Sequence, residues 1–298
     1  MEKKPSTPYR KIKRIYCYLN EGIKKTMNNI SIQNPGSALG EAIGAELEKA
    51  LNTFLRQVAE QEGYHFISKG VGTTKQGNSR KVLVMYDQFG TEYKIDAVIA
   101  NHAMQPIILF ESKYLRYTKH NRDKGSWICN AHSALRRRYS SIRSSIAVLA
   151  GNWTRNSLAM MTSYNINVFI IPFQLICELL KEHNIDFNWG EKDRNIATQA
   201  WIQFNSLSLD EKTRIGTEMI APIQRNLEQS VLNILDDSLI REVDKISIEL
   251  HSNLGEIKRY EFKSIMDAIE FMSMDDLTEA FLITDSFTLF DPPANFNT

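Results

Sequence analysis

Between Ser37 and about Glu62 apolar residues recur at helical spacing, with Ile43, Leu47, Ala50, Leu51, Phe54, Leu55 and Val58 on one stripe. That period predicts an amphipathic helix whose stripe faces a core. The pattern then changes. Lys81–Tyr86, Glu92–Ala100 and Pro106–Lys113 are short runs rich in β-branched, aliphatic and aromatic residues, the composition of strands. Asp87-Gln88-Phe89-Gly90 supplies turn chemistry between the first two. Asn101–Gln105 is short and polar enough to fold the second run against the third as an antiparallel pair. Ile107-Ile108-Leu109-Phe110 is apolar without alternation, as in a strand buried on both faces.

Beyond these runs a helix is expected over about Ala131–Ala150, a strand over Asn167–Ile171 and a helix over about Phe173–His183. The order helix, three strands, helix, strand predicts an α/β (α+β) core: a central mixed sheet of four to five strands flanked by helices. Ser208-Leu209-Asp210-Glu211 has the form of a capping box, and Ile215, Met219, Ile223, Leu227 and Val231 continue from it at helical spacing. Lys245–Leu250 and Ile257–Phe262 alternate about Ser252–Gly255 as a hairpin. Three regions are expected: a basic arm or helix over 1–36, the core over 37–190, and a helical and hairpin accessory region over 191–298.

The candidate chemistry lies on the second and third strand runs. Alternate side chains of a strand share a face, so Glu111 and Lys113 point the same way. An antiparallel pairing then brings Asp96 to Glu111. A hard divalent cation such as Mg2+ takes oxygen ligands and keeps several waters, so two carboxylates plus substrate oxygens suffice to hold it. An ammonium beside them can orient a water and offset developing negative charge, and Lys113 has that chemistry. The other reading of the three residues is an ion pair on a surface hairpin. Against it stands the apolar run that leads into Glu111, because charges emerging from a buried strand need partners.

Asp96 and Glu111-Ser112-Lys113, on adjacent strands after an amphipathic helix, resemble the PD-(D/E)xK nuclease superfamily, with a restriction-endonuclease-like core. The resemblance covers about residues 37–185 and departs from the pattern at Ile95, which stands where many members have proline. It implies that Asp96 and Glu111 hold Mg2+, for which Mn2+ substitutes, that the Ser112 carbonyl joins them, and that Lys113 positions the attacking water. Members often carry a further glutamate on the first helix. Glu48 is the preferred candidate because it borders the apolar stripe, with Glu46 and Glu41 as alternatives.

Charge distribution adds to this picture where the total does not. The 298 residues carry a formal net charge of only +1, yet Lys113–Arg143 holds nine Lys/Arg against Asp123 alone. Arg116, Lys119, Arg122, Lys124, Arg136, Arg137 and Arg138 are the candidate contacts to a phosphate backbone, interleaved with Tyr114, Tyr117, Trp127 and Tyr139. A second basic cluster in 1–36 suits an arm along DNA or a packed helix equally.

Other classes are disfavoured. Cys17, Cys129 and Cys177 form no metal-binding spacing and suit a reducing, cytoplasmic setting. His120-Asn121 is too little for an HNH nuclease. There is no Walker phosphate loop or dinucleotide fingerprint, so no nucleotide cofactor is expected, and no signal peptide or membrane-spanning stretch is expected. The expected protein is a Mg2+-dependent endonuclease of double-stranded DNA, a type II site-specific restriction enzyme acting as a homodimer. The accessory region would read DNA or form the dimer. Two alternatives stay open: a repair or structure-specific nuclease of the same fold, and a catalytically inactive DNA-binding module.

Overall fold

The computed structural model describes residues 34–68, 82–190, 192–274 and 276–281. The basic arm expected over 1–36 lies outside these residues except for 34–36, and Cys17 lies outside them too.

The first amphipathic stripe is helix α1, Pro35–Gln61, opened by Asn34, whose side chain accepts from the Ser37 N–H, and by proline in its first turn. It leads into β1, His65–Ile67. A separate hairpin of β2, Leu83–Tyr86, and β3, Glu92–Ile95, follows. Then come β4, Ala97–Ala100, and β5, Pro106–Leu115. Two crossovers complete the sheet: α2, Asn121–Arg138, leads to β6, Ser144–Gly151, and α3, Arg155–Ser163, leads to β7, Ile166–Pro172. Helices α4, Phe173–Glu182, α5, Arg194–Ser206, and α6, Leu209–Leu235, come next.

The central sheet is mixed, with five strands in the order β1-β4-β5-β6-β7. β1, β4 and β5 pair antiparallel, and β5, β6 and β7 pair parallel. Its two faces are covered by different helices. Ile99, Ile108, Phe110, Ile146 and Val148 pack with the stripe of α1 and with α4, α5 and α6. Val98 and Leu109 pack with Ala131 and Leu135 of α2 and with the β2–β3 hairpin, while Ala147 and Leu149 pack with α2 and α3. The result is an α/β fold of three layers, as the sequence pattern predicts.

Two boundaries differ from the expected ones. The helix expected over about Ala131–Ala150 is α2 followed by β6. Every residue of Ser144–Gly151 is buried, and a run apolar on all sides has no period to separate a buried strand from a buried helix. The strand expected over Glu92–Ala100 is divided into β3 and β4, which belong to different sheets, and Asp96 occupies the break.

Contacts divide the chain after Asp236, into 1–236 and 237–298, rather than near residue 190. α5 and α6 bury Ala200, Phe204, Met219 and Leu227 in the main core, so these helices of the expected accessory region belong to the first unit. The capping box of α6 is formed, Ser208 and Glu211 each accepting from the other's backbone N–H. The second unit contains the hairpin of β8, Ile246–His251, and β9, Ile257–Phe262, with α7, Ile265–Met272. Among the described residues no helix is long and apolar enough to cross a membrane.

Candidate active site

The site lies where the antiparallel and parallel halves of the sheet meet. The last β4–β5 pair is Ala97 with Phe110, so the next step along the ladder would set Asp96 against Glu111. Instead the chain leaves the ladder at Asp96. Its Oδ2 accepts the Ser112 N–H at 2.9 Å and the Lys113 ammonium at 2.7 Å. The Lys113 Nζ also lies 2.6 Å from Glu111 Oε2, so one cation bridges two carboxylates. The other oxygen of Glu111, Oε1, has no hydrogen-bond partner.

Burial decides the electrostatics. The Glu111 side chain is 0% exposed, whereas those of Asp96 and Lys113 are 29% and 24% exposed. Burial pushes the Glu111 carboxyl up to about 8; Asp96 raises it further and Lys113 opposes. Burial alone would lower Lys113, but Glu111 and Asp96 reverse this and leave it above its ordinary value. The lysine is therefore a cation, not a base.

Glu48 reaches the same place from α1. The Tyr114 side chain lies across Gly40 and Gly44, whose added Cβ atoms would stand 3.4 Å from its ring and 3.6 Å from its Cβ. Glu48, one turn further on, lines a cavity of about 900 Å3 together with Ser112, Lys113 and Arg116. Burial raises its carboxyl above the ordinary value, Asp96 adds to this, and Lys113 and Asn52 oppose it. Of the alternatives, Glu41 lines the same cavity, whereas Glu46 lines a separate recess with Thr213 and Thr217 and lies 3.8 Å from Lys49.

The seven basic candidates separate into three groups. Arg116 is buried, donating to the Trp189 carbonyl at 2.8 Å with its guanidinium 3.9 Å from the Trp189 ring and 4.4 Å from that of Phe187. Its packing holds the cavity wall. Lys119 lines that cavity, and Arg122 and Lys124 are exposed on the first turns of α2. Arg136, Arg137 and Arg138 lie at the far end of α2. Arg136 lies one helical turn from His132, whose ring approaches Glu111, and Arg137 and Arg138 follow at the end of the helix. Arg136 donates to the Asn165 carbonyl and Arg138 to the Asp87 carbonyl.

Sequence reasoning passed over His132. It lies on the buried face of α2 with Ile128, Cys129, Ala131 and Leu135, and its Nε2 is 4.0 Å from Glu111 Oε1. A histidine inside an otherwise apolar helix stripe was the available signal. Trp189 and Arg194, which also line the cavity, carried none.

Among the described residues no group of three or more His, Cys, Asp or Glu side chains is arranged to hold a metal ion. The donor set is smaller but suited to a hard cation. Two carboxylates converge, and Oε1 of the buried one has no hydrogen-bond partner, while Mg2+ needs only one or two carboxylates when waters and substrate complete its shell.

No protein-family model and no curated protein matches the chain. A solved structure of AF1548, a protein of unknown function, matches 64% of this chain and 94% of that one at 8% identity, with a TM-score of 0.29.

Proposed function

We propose that this protein is a metal-dependent nuclease of the PD-(D/E)xK type that hydrolyses double-stranded DNA, with Mg2+ or Mn2+ held by Asp96 and Glu111. The observation that carries this reading is the fully buried carboxylate of Glu111 beside Asp96, with the Lys113 ammonium bridging both.

When bound, the cation would supply Lewis-acid polarisation of the scissile phosphate and acidify a water. The residues of this chain do the rest. Asp96 and Glu111 present oxygens, with the Ser112 carbonyl beside them. Lys113 stays charged, orients the water and offsets charge building on the phosphoryl oxygens. Glu48, whose carboxyl is raised, stands at the cavity wall as a proton acceptor for that water. The water oxygen bonds to phosphorus, the bond to the 3'-oxygen breaks, and that oxygen takes a proton from solvent. The products are a 5'-phosphate and a 3'-hydroxyl.

Within this class we favour a site-specific restriction endonuclease acting as a homodimer, since two copies of a single-site subunit can cut both strands of a palindrome. A nuclease that acts on DNA ends or junctions is the second reading, supported by the cavity of about 900 Å3 beside Lys113. Incubating purified protein and Mg2+ with supercoiled and phage DNA, followed by sequencing of the ends, tests both. Fixed termini inside duplex DNA support restriction, and cuts tied to ends or junctions support the second. If wild type, Asp96→Ala and Lys113→Ala all leave the DNA intact, the nuclease reading fails.

A further inference from the structure

His132 is among the most buried polar residues of the described chain, 1% exposed, and neither of its ring nitrogens has a hydrogen-bond partner. Buried polar groups are nearly always paired, so two orphaned nitrogens on one ring require a reason. The ring belongs to α2, whose neighbouring Ala131 and Leu135 pack on the sheet face that carries Leu109. Glu111 is on that face too, by the alternation of β5. Its Oε1 lies 4.0 Å from His132 Nε2, while its other oxygen, Oε2, is the one beside Lys113. The two unsatisfied groups therefore face each other across a gap about 1 Å longer than a hydrogen bond.

We propose that His132 is a positioning residue for the metal site: its neutral ring donates Nε2–H to Glu111 Oε1, fixing the carboxylate so that Oε2 is presented toward Lys113 and the cation. This rests on the metal-dependent reading above. The charged groups around the ring are Lys113, Asp96 and Arg136. One neutral tautomer and the charged ring both carry a proton on Nε2, so the donor that the geometry asks for is available. Closing the gap asks for about 1 Å of movement of the two side chains toward each other. Such supporting hydrogen bonds orient metal ligands, and their loss weakens metal binding while leaving the ligands themselves in place.

The alternative is that His132 only fills space under α2, and the two roles give opposite results. Mn2+ alone is titrated into the full-length protein by calorimetry, and the electron paramagnetic resonance of the bound ion is recorded. Melting is followed without metal. His132→Leu is expected to lose on the order of 10- to 100-fold in Mn2+ affinity. It is also expected to melt at or above wild type, since it replaces two unpaired buried nitrogens with an apolar group of similar size. His132→Gln, which keeps an N–H donor at similar reach, is expected to bind within about threefold of wild type and to restore its spectrum.

Wild-type Mn2+ affinity in His132→Leu overturns the proposal, as does unfolding of that variant without metal. Equal loss in His132→Gln and His132→Leu also overturns it. A separate outcome identifies failure of the underlying reading: wild type itself, compared with Asp96→Asn, shows no carboxylate-dependent uptake of Mn2+.

Discussion

Two places in this chain set acidic and basic side chains together on antiparallel strands. On the β8–β9 hairpin, Arg259 Nη2 lies 2.6 Å from Glu249 and Lys245 Nζ lies 2.7 Å from Glu261. At the end of β4, Lys113 lies 2.7 Å from Asp96 and 2.6 Å from Glu111. Distance does not distinguish them. Solvent does: the four hairpin side chains are 43–59% exposed, and Glu111 is 0% exposed. In the hairpin, hydrogen bonds from Lys245 lower the Glu261 carboxyl, the ordinary behaviour of a carboxylate that gains a partner. At the sheet, burial overrides the same kind of partner and raises Glu111 to about 8. The difference shows that a short distance alone does not fix a carboxylate's charge: the exposed one ionises beside its partner, whereas burial favours the protonated form of the other.

The most severe test of that contrast is catalytic. Asp96→Ala and Lys113→Ala are expected to reduce Mg2+-dependent plasmid nicking by on the order of 10^3-fold, the scale for removing a preorganised charge from a site. Lys245→Ala and Arg259→Ala should leave the nicking rate unchanged. Equal nicking by all four variants and wild type would erase the distinction between the two clusters.

A second expectation concerns pH, and its sign follows from the direction of the Glu111 shift. Below the ordinary value of 4.5 the carboxyl is protonated in both folded and unfolded chains. Between 4.5 and about 8 the unfolded chain loses this proton and the folded one keeps it, so metal-free stability falls as pH rises, with a slope approaching about 1.4 kcal/mol per pH unit from this group. Glu111→Gln should flatten that slope in melting curves recorded across the window. Cation binding needs the ionised carboxylate, so Mn2+ affinity of wild type should rise over the same interval and release a proton. A slope unaltered by Glu111→Gln would mean that burial does not govern this group.

Much of this arrangement was legible beforehand. Periodicity located α1, the turn at Asp87–Gly90, β5, α4 and the hairpin, and the Ser208/Glu211 capping box is formed. Of the three glutamates the sequence offers on α1, Glu48 and Glu41 line the cavity with Lys113, whereas Glu46 does not. What stayed hidden was long-range. The buried run Ser144–Gly151 has no period, so it was merged into a helix, and the direction of α2 was lost with it. His132 was passed over because its meaning depends on Glu111, twenty-one positions away in sequence and facing it only after β5 and α2 have packed.

A third expectation tests the rigid support behind the buried cluster. Gly216 of α6 lies so close to α1 that an added Cβ would stand 2.5 Å from the Glu46 carbonyl. Gly216→Ala should therefore separate the two helices at a cost of about 1–3 kcal/mol, the scale of overpacking, and lower the melting temperature by several degrees. Because Glu48 is two residues from the point of contact, nicking should fall as well, although less than in Asp96→Ala. An unchanged melting temperature would show that α1 is not held there by close helix contact.

The smallest expected effect completes the comparison from the exposed side. Glu249→Gln and Arg259→Gln remove one charge each from a pair whose members both keep substantial contact with water. Water replaces the lost partner, and ordering two long side chains offsets most of the attraction. Each variant, and the double variant, should melt indistinguishably from wild type in moderate salt. The double-mutant coupling should vanish as salt is added. A large coupling that persists in high salt would show the hairpin pair to be desolvated like Glu111, and exposure would then no longer explain why two clusters of the same distances behave differently.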